Sequence, residues 1–349
     1  MTQITMGRGT PTVLLSHLAL YGLGAILERK APVSPQLRWT GGTNPRPVVE
    51  VAGLSDEQVA ETVREHAAMA TDPRSWAQQN VVLDGAARAL MSPRLTRFGD
   101  DETWEMVQHR RHQVIDALEA QCRWLDLRFI GALGEPCYWS FNREGGLQQD
   151  DAASHLEMQP RNQGSEFVGT RLRKIAESVA ARSSSQVLAG LCGQSVHDEV
   201  GGDRIDSRTA TGLAGPGPTD NAVAWCAFWG ISQFPLAMRV WSDRLRSARN
   251  VTTGHLGHRR REWFYVPMWR SSWWPARVRT ILAAEATRLV ASAGLLDVAG
   301  RPLKLAAARA WLSARGVDGV MRFPLGTFGS DNAPERRAMV GEPVPVLPG

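Results

Sequence analysis

Residues 201–220 contain seven backbone breakers, Gly201, Gly202, Gly212, Gly215, Pro216, Gly217 and Pro218. No helix or strand survives that density, so the segment reads as a long loop, and a loop of this length inside a compact protein is more often functional than idle. The next segment is the opposite in character. Residues 219–233 carry Ala222, Val223, Trp225, Cys226, Phe228 and Trp229, which predicts a capped, deeply buried helix that ends before Pro235.

Periodicity places the other elements. Residues 12–28 put Val13, Leu14, Leu18, Tyr21, Ala25 and Ile26 on one side of a mostly buried helix stopped by Pro32 and Pro35. Residues 36–40 and 47–51 are β-like runs around a Gly41-Gly42-Thr43-Asn44-Pro45 turn, a hairpin pattern. Ser55 with Gln58 forms a capping box ahead of a helix bearing Val59, Val63 and Ala67. A long helix is expected over 101–125, where Trp104, Val107, Val114, Leu118, Cys122 and Leu125 recur at helical spacing behind an acidic start that complements the helix dipole. Beyond it come an aromatic strand over 137–141, a helix over 166–182, a strand over 263–269, helices over 275–293 and 302–314, and a closing strand over 320–323.

This pattern predicts an α+β fold: a mixed N-terminal region over 1–130, a larger Trp-rich α+β region with C-terminal helices over 131–333, and a disordered Pro-rich tail over 334–349. A chain of 349 residues, 43% apolar and 21% charged, has material for such a core. The longest apolar stretch, 13–27, includes His17 and two glycines and falls short of the roughly 20 residues that span a bilayer. Cys122, Cys137, Cys192 and Cys226 are widely spaced, with no C-x-x-C pair and no signal-like start, so a reduced, cytoplasmic protein without a membrane partner is expected.

Lys occurs only at Lys30, Lys174 and Lys304, so Arg supplies the rest of the 40 basic residues in a chain of net charge +5. The planar Arg fork suits phosphates and base edges. Between residues 239 and 279 stand ten arginines, Arg239, Arg244, Arg246, Arg249, Arg259, Arg260, Arg261, Arg270, Arg277 and Arg279, opposed only by Asp243 and Glu262. Trp241, Trp263, Trp269, Trp273, Trp274, Phe264 and Tyr265 interleave with them, a combination suited to neutralising phosphates and stacking bases. The bland alternative is a tryptophan core beneath a solvated arginine face. Arg161, Arg171, Arg173 and Lys174 form a second basic patch, the last three in the first turns of a helix, where a phosphate would relieve their clash with the dipole. Arg208, Thr209 and Thr211, in the breaker-rich loop, offer a third set of phosphate or groove contacts.

No enzyme signature accompanies them. The loop lacks P-loop spacing, no G-x-S-x-G elbow occurs, and no cofactor is implied. His197-Asp198 with Glu199, Asp203 and Asp206 nearby invites a metal-dependent nuclease reading but has no second cluster at partner spacing, and Cys192 with His197 lacks paired zinc ligands. A structural adaptor is the third reading, since Arg and aromatics also anchor protein interfaces.

Several runs resemble the Cas8-like large-subunit family of type I-G (formerly I-U) CRISPR-Cas effector complexes. They are Leu15-Ser16-His17-Leu18-Ala19-Leu20-Tyr21-Gly22-Leu23, Ala89-Leu90-Met91-Ser92-Pro93-Arg94, Gly134-Glu135-Pro136, Glu166-Phe167-Val168-Gly169, Asp206-Ser207-Arg208-Thr209, Gly217-Pro218-Thr219-Asp220-Asn221, Arg315-Gly316-Val317 and Val320-Met321-Arg322-Phe323-Pro324. The resemblance implies a non-catalytic subunit of a Cascade-like surveillance complex. Its partners would be CRISPR RNA, target DNA, other effector-complex subunits and a helicase-nuclease. Base pairing would supply sequence specificity while the protein grips backbone and reads a short flanking motif. At 349 residues the chain is short for such a subunit, so the usual C-terminal bundle would be reduced, encoded separately or compressed into 275–314.

Overall fold

A computed structural model describes residues 1–95, 100–135, 139–141, 147–149, 154–157, 167–237, 251–258, 261–295, 302–330 and 333–346. Along the chain run β1 (Thr2–Thr5), α1 (Leu14–Leu27), β2 (Gln36–Trp39), β3 (Pro47–Val51), α2 (Asp56–Thr71), β4 (Asn80–Leu83), β5 (Ala86–Ala89), α3 (Asp101–Ala120), α4 (Trp124–Leu133), β6 (Trp139–Phe141) and β7 (Leu147–Gln149). Then come α5 (Arg173–Ala181), α6 (Ser184–Leu191), α7 (Asn221–Gly230), β8 (Leu236–Ala237), β9 (Val251–Thr252), β10 (His255–His258), β11 (Arg261–Met268), α8 (Pro275–Ala283), α9 (Glu285–Ala291), α10 (Pro302–Ser313), β12 (Gly319–Ser330), β13 (Ala333–Ala338) and β14 (Glu342–Pro345). The protein is α+β, with helices packed against small antiparallel sheets in the order β1-β3-β2 and β10-β11-β12-β13.

Two apolar helices form the centre. Every residue of α1 is buried, and α7 buries all but Val223. They touch through glycine: a Cβ on Gly22 would stand 1.8 Å from the Cys226 carbonyl oxygen, and one on Gly230 would stand 2.0 Å from the Leu18 carbonyl oxygen. The backbones approach closer than any side chain permits. On the far side, Leu37 and Trp273 exchange both backbone hydrogen bonds, at 2.7 and 2.9 Å, and Trp269 Nε1 donates to Leu37 O at 2.8 Å. Trp269 stacks on Trp273 with centroids 4.5 Å apart and on Tyr21 of α1 at 6.0 Å. Residues on both sides of position 130 therefore share one core, and the expected boundary there does not separate two.

The Ser55–Gln58 capping box forms as its sequence implies. The expected helix over 101–125 instead breaks in two. Cys122 adopts φ 54°, its N–H bonds Glu119 O at 2.8 Å, and Arg123 N–H reaches back to Leu118 O at 2.9 Å. That is a Schellman termination with cysteine in the left-handed position glycine usually takes. The helix over 275–293 is likewise interrupted at Ala284, whose ψ of 136° is extended.

The expectation of a disordered tail after residue 334 is corrected: β13 and β14 both pair with β12. Pro343 and Pro345 fit because β14 pairs on one side only, in register Met321↔Pro343 and Gly319↔Pro345, while Val344 and Val346 face the core. An edge strand tolerates missing N–H donors on its open side.

Candidate nucleic-acid interface

The breaker-rich loop is wound around one side chain. Asp198 is fully buried, and its carboxyl group accepts from Gly201 N (2.9 Å), Thr219 N (3.2 Å), Thr209 Oγ1 (2.6 Å) and Ser207 Oγ. A Cβ on Gly201 would lie 2.6 Å from Asp198 Oδ2, so glycine there is a requirement of close approach. At the loop's end, Asp220 caps α7 by accepting from Ala222 N at 2.9 Å, and also receives Arg182 Nη1 at 2.9 Å. Leu213 O accepts from Leu15 N at 2.9 Å and Gly212 O from Ala338 N at 2.7 Å, tying the loop to α1 and β13.

This construction sorts the three loop candidates. Thr209 and Thr211 are buried, and Thr209 is spent on Asp198, so neither hydroxyl faces a ligand as expected. Arg208 points outward and ion-pairs with Glu335 of β13. Arg337, two residues on, holds Glu335 at 2.8 Å and lies 4.7 Å over the Phe328 ring. Arg171 stands close enough to feel both Arg208 and Glu335: partial burial pulls its pKa down, Arg208 adds to that, and Glu335 and Asp198 oppose it. Two guanidinium groups, Arg208 and Arg337, thus share one carboxylate, with Arg171 within electrostatic reach, an arrangement with surplus positive charge. Lys174 is exposed one turn further along the helix from Arg171. Arg171 and Arg208, far apart in sequence, have come within electrostatic reach of each other. Sequence reasoning misses Arg337 because it lies in the segment expected to be a tail.

The remaining candidates disperse. Arg173 is structural, donating to Ala77 O, to Gln79 O at 3.1 Å and to Asn80 Oδ1 at 2.9 Å. Arg261 is exposed at the start of β11, and Arg270 is exposed with Asp318 3.6 Å away. Arg277 stacks over Trp273 at 4.7 Å and bonds Arg315 O, while Arg279 donates to Gln233 Oε1 at 3.0 Å. Trp263, Trp269 and Trp273 belong to the core, which removes them as base-stacking platforms; Trp274 is exposed. Arg161, Arg239, Arg244, Arg246, Arg249, Arg259, Arg260 and Trp241 lie outside the described residues.

His197 and Asp198 do not make a joint site. The His197 residue is exposed while Asp198 is enclosed and saturated by internal donors, so the carboxyl group that the alternative metal-nuclease reading would need instead holds a loop. No helix among the described residues is long and apolar enough to cross a membrane. No known protein family, curated protein or solved structure matches this chain.

Proposed function

We propose that the chain binds nucleic acid as a non-catalytic subunit of a type I-G CRISPR RNA-guided surveillance complex. In this reading it contacts target DNA and its flanking motif, alongside CRISPR RNA and partner subunits, and helps recruit the helicase-nuclease. The observation that carries nucleic-acid binding is that Arg208 and Arg337 share a single Glu335 within electrostatic reach of Arg171, because a polyanion relieves the repulsion among these cations. The complex-level assignment rests on the sequence resemblance.

The test is a salt titration. Arg208→Ala with Arg337→Ala removes one exposed and one mostly buried cation, both paired with Glu335. DNA affinity should fall, and the slope of log K against log salt should flatten by about 0.7–0.9 for each phosphate no longer neutralised. An unchanged slope in the folded double variant removes this surface from the reading. Co-purification of the chain with guide RNA and the other complex subunits tests the second half; its failure with binding intact leaves a nucleic-acid-binding protein outside such a complex.

A further inference from the structure

A second cluster lies on the β10–β11 hairpin. In its antiparallel register His255 faces Phe264 and Gly257 faces Glu262, which makes His255 and Glu262 diagonal neighbours on one face of the ribbon. Gly257 stands between them, and a Cβ there would meet nothing nearer than His255 Cε1 at 3.7 Å. The space over the ribbon is open and reaches solvent. A third group, His155, enters from a separate segment. Its backbone N–H donates to Thr252 Oγ1 at 2.9 Å and its Nδ1 lies 3.1 Å from the same oxygen. Its ring stacks on His255 with centroids 3.8 Å apart and planes 18° from parallel.

We propose that His155, His255 and Glu262 form a zinc-class divalent metal site that fastens the 154–157 segment to the β10–β11 hairpin. One ligand atom from each residue lies within 4.8 Å of those of the other two, and among the described residues this is the one group of three that meets that condition. Bonds of about 2.0–2.2 Å from a shared ion place tetrahedral ligand atoms nearer one another than that, and an ion lies near the plane of each imidazole it binds, so binding requires the three side chains to draw in and the two stacked rings to turn apart. Two imidazoles and a carboxylate are a ligand set that suits zinc and its neighbours in the first transition series.

Two further observations fit. His255 Nε2 is buried with no hydrogen-bond partner among the described residues, although Glu262 Oε2 is only 4.0 Å away, so the site holds a nitrogen that something should satisfy. The Thr252 hydroxyl fixes the His155 ring through Nδ1, as outer partners of metal-bound histidines do. Arg336 lies 3.8 Å from Glu262 Oε2, and the two oxygens of the carboxylate allow it to keep that contact while binding an ion. Three protein ligands would leave the fourth position of a tetrahedral site to water or another ligand.

The site stands independently of the nucleic-acid reading. The experiment is Zn²⁺ titration of the metal-stripped full-length chain by calorimetry, with Co²⁺ absorption reporting ligand geometry, in a Cys122→Ser background that removes the exposed thiol. One equivalent should bind in the parent. His255→Ala and Glu262→Gln should each abolish that equivalent, and Thr252→Ala should weaken it by about 10-fold or more. Absence of a bound equivalent in the parent, or full stoichiometry and affinity in Glu262→Gln, overturns the proposal. Should His255→Ala fail to fold, the near-isosteric Glu262→Gln, at a half-exposed position, decides it alone.

Discussion

Replacing Asp198 by Ala tests whether the loop is a built support or a mere connection. The side chain is enclosed and takes two backbone N–H groups, from Gly201 and Thr219, together with the Ser207 and Thr209 hydroxyls. Ser207 Oγ already lies 3.2 Å from Thr209 Oγ1, so the hydroxyls have somewhere to turn; the two amides do not. At about 1–3 kcal/mol for each stranded buried donor, plus a cavity, the variant should lose about 3–5 kcal/mol of stability. Asp198→Asn keeps the volume but turns an N–H₂ toward donors, and should lose about half as much. Urea unfolding measures the loss, and hydrogen exchange should show reduced protection confined to 201–219 before global unfolding. The DNA readout carries an opposite sign under the two views. By charge alone, removing an acid strengthens binding to a polyanion; by the structural argument, the loop that carries Arg208 loosens and binding weakens. Both variants within about 0.5 kcal/mol of the parent, or tighter DNA binding, refute the reasoning.

Two further outcomes concern buried groups. Gly22→Ala should destabilise by about 1–3 kcal/mol or more, because its methyl group meets the Cys226 carbonyl and Gly230 N, both backbone; a thermal melt unchanged from the parent would contradict the close α1–α7 crossing. Acid should destabilise the fold through His17 and His66, both buried. Desolvation lowers His17 to about 4 against a hydrogen bond to Pro11 O; desolvation, with the charges of Arg29 and Arg123 adding, also holds His66 well below its ordinary value, where Nδ1 accepts from Trp225 Nε1. The unfolded chain takes up these protons near pH 6.5 and the folded chain only well below it, so stability is full above about 6.5 and falls as pH drops. From His17 alone the loss approaches about 3 kcal/mol by about pH 4. A urea midpoint constant between about pH 7 and pH 5, or a His17→Asn variant with an undiminished slope, would contradict it.

The helices are legible in the sequence where one physical signal dominates. The all-round apolar runs of α1 and α7 predict burial, and the Ser55–Gln58 box is local and self-contained. The break at Cys122 is not legible, because a left-handed cysteine carries no compositional mark. Prolines mislead in the tail: Pro343 and Pro345 signal disorder only if strand neighbours on both sides are assumed, and β14 has one. The basic site is half legible. Arg171 and Arg208 stand out as separate patches, but their meeting depends on β13 delivering Glu335 and Arg337. The His155–His255–Glu262 group has no signature because its spacing is set by strand register and by a distant loop.

Arginine abundance by itself therefore argues for little, because the fold consumes many of them. Arg111, fully buried, donates Nη1 to Leu90 O at 2.6 Å and to Ser92 O at 3.0 Å. Arg322 reaches Ala291 O and Ala293 O, Arg182 reaches His197 O as well as Glu199 and Asp220, and Arg46 reaches Gly9 O. A guanidinium with five donors in a fixed fork ties two or three carbonyl groups of loops and element ends at once, where an ammonium offers a single centre. In a chain with three lysines this is the common use of its cations. The distinction that matters for function is whether a fork is filled by carbonyls from its own chain or crowded against other cations. Arg173 is of the first kind, although it stands beside Arg171 in sequence; Arg208 and Arg337, which share Glu335, are of the second. A mutational survey that ranks arginines by DNA affinity should separate along that line, with larger decreases at the second set than at exposed Arg270, whose charge already faces Asp318.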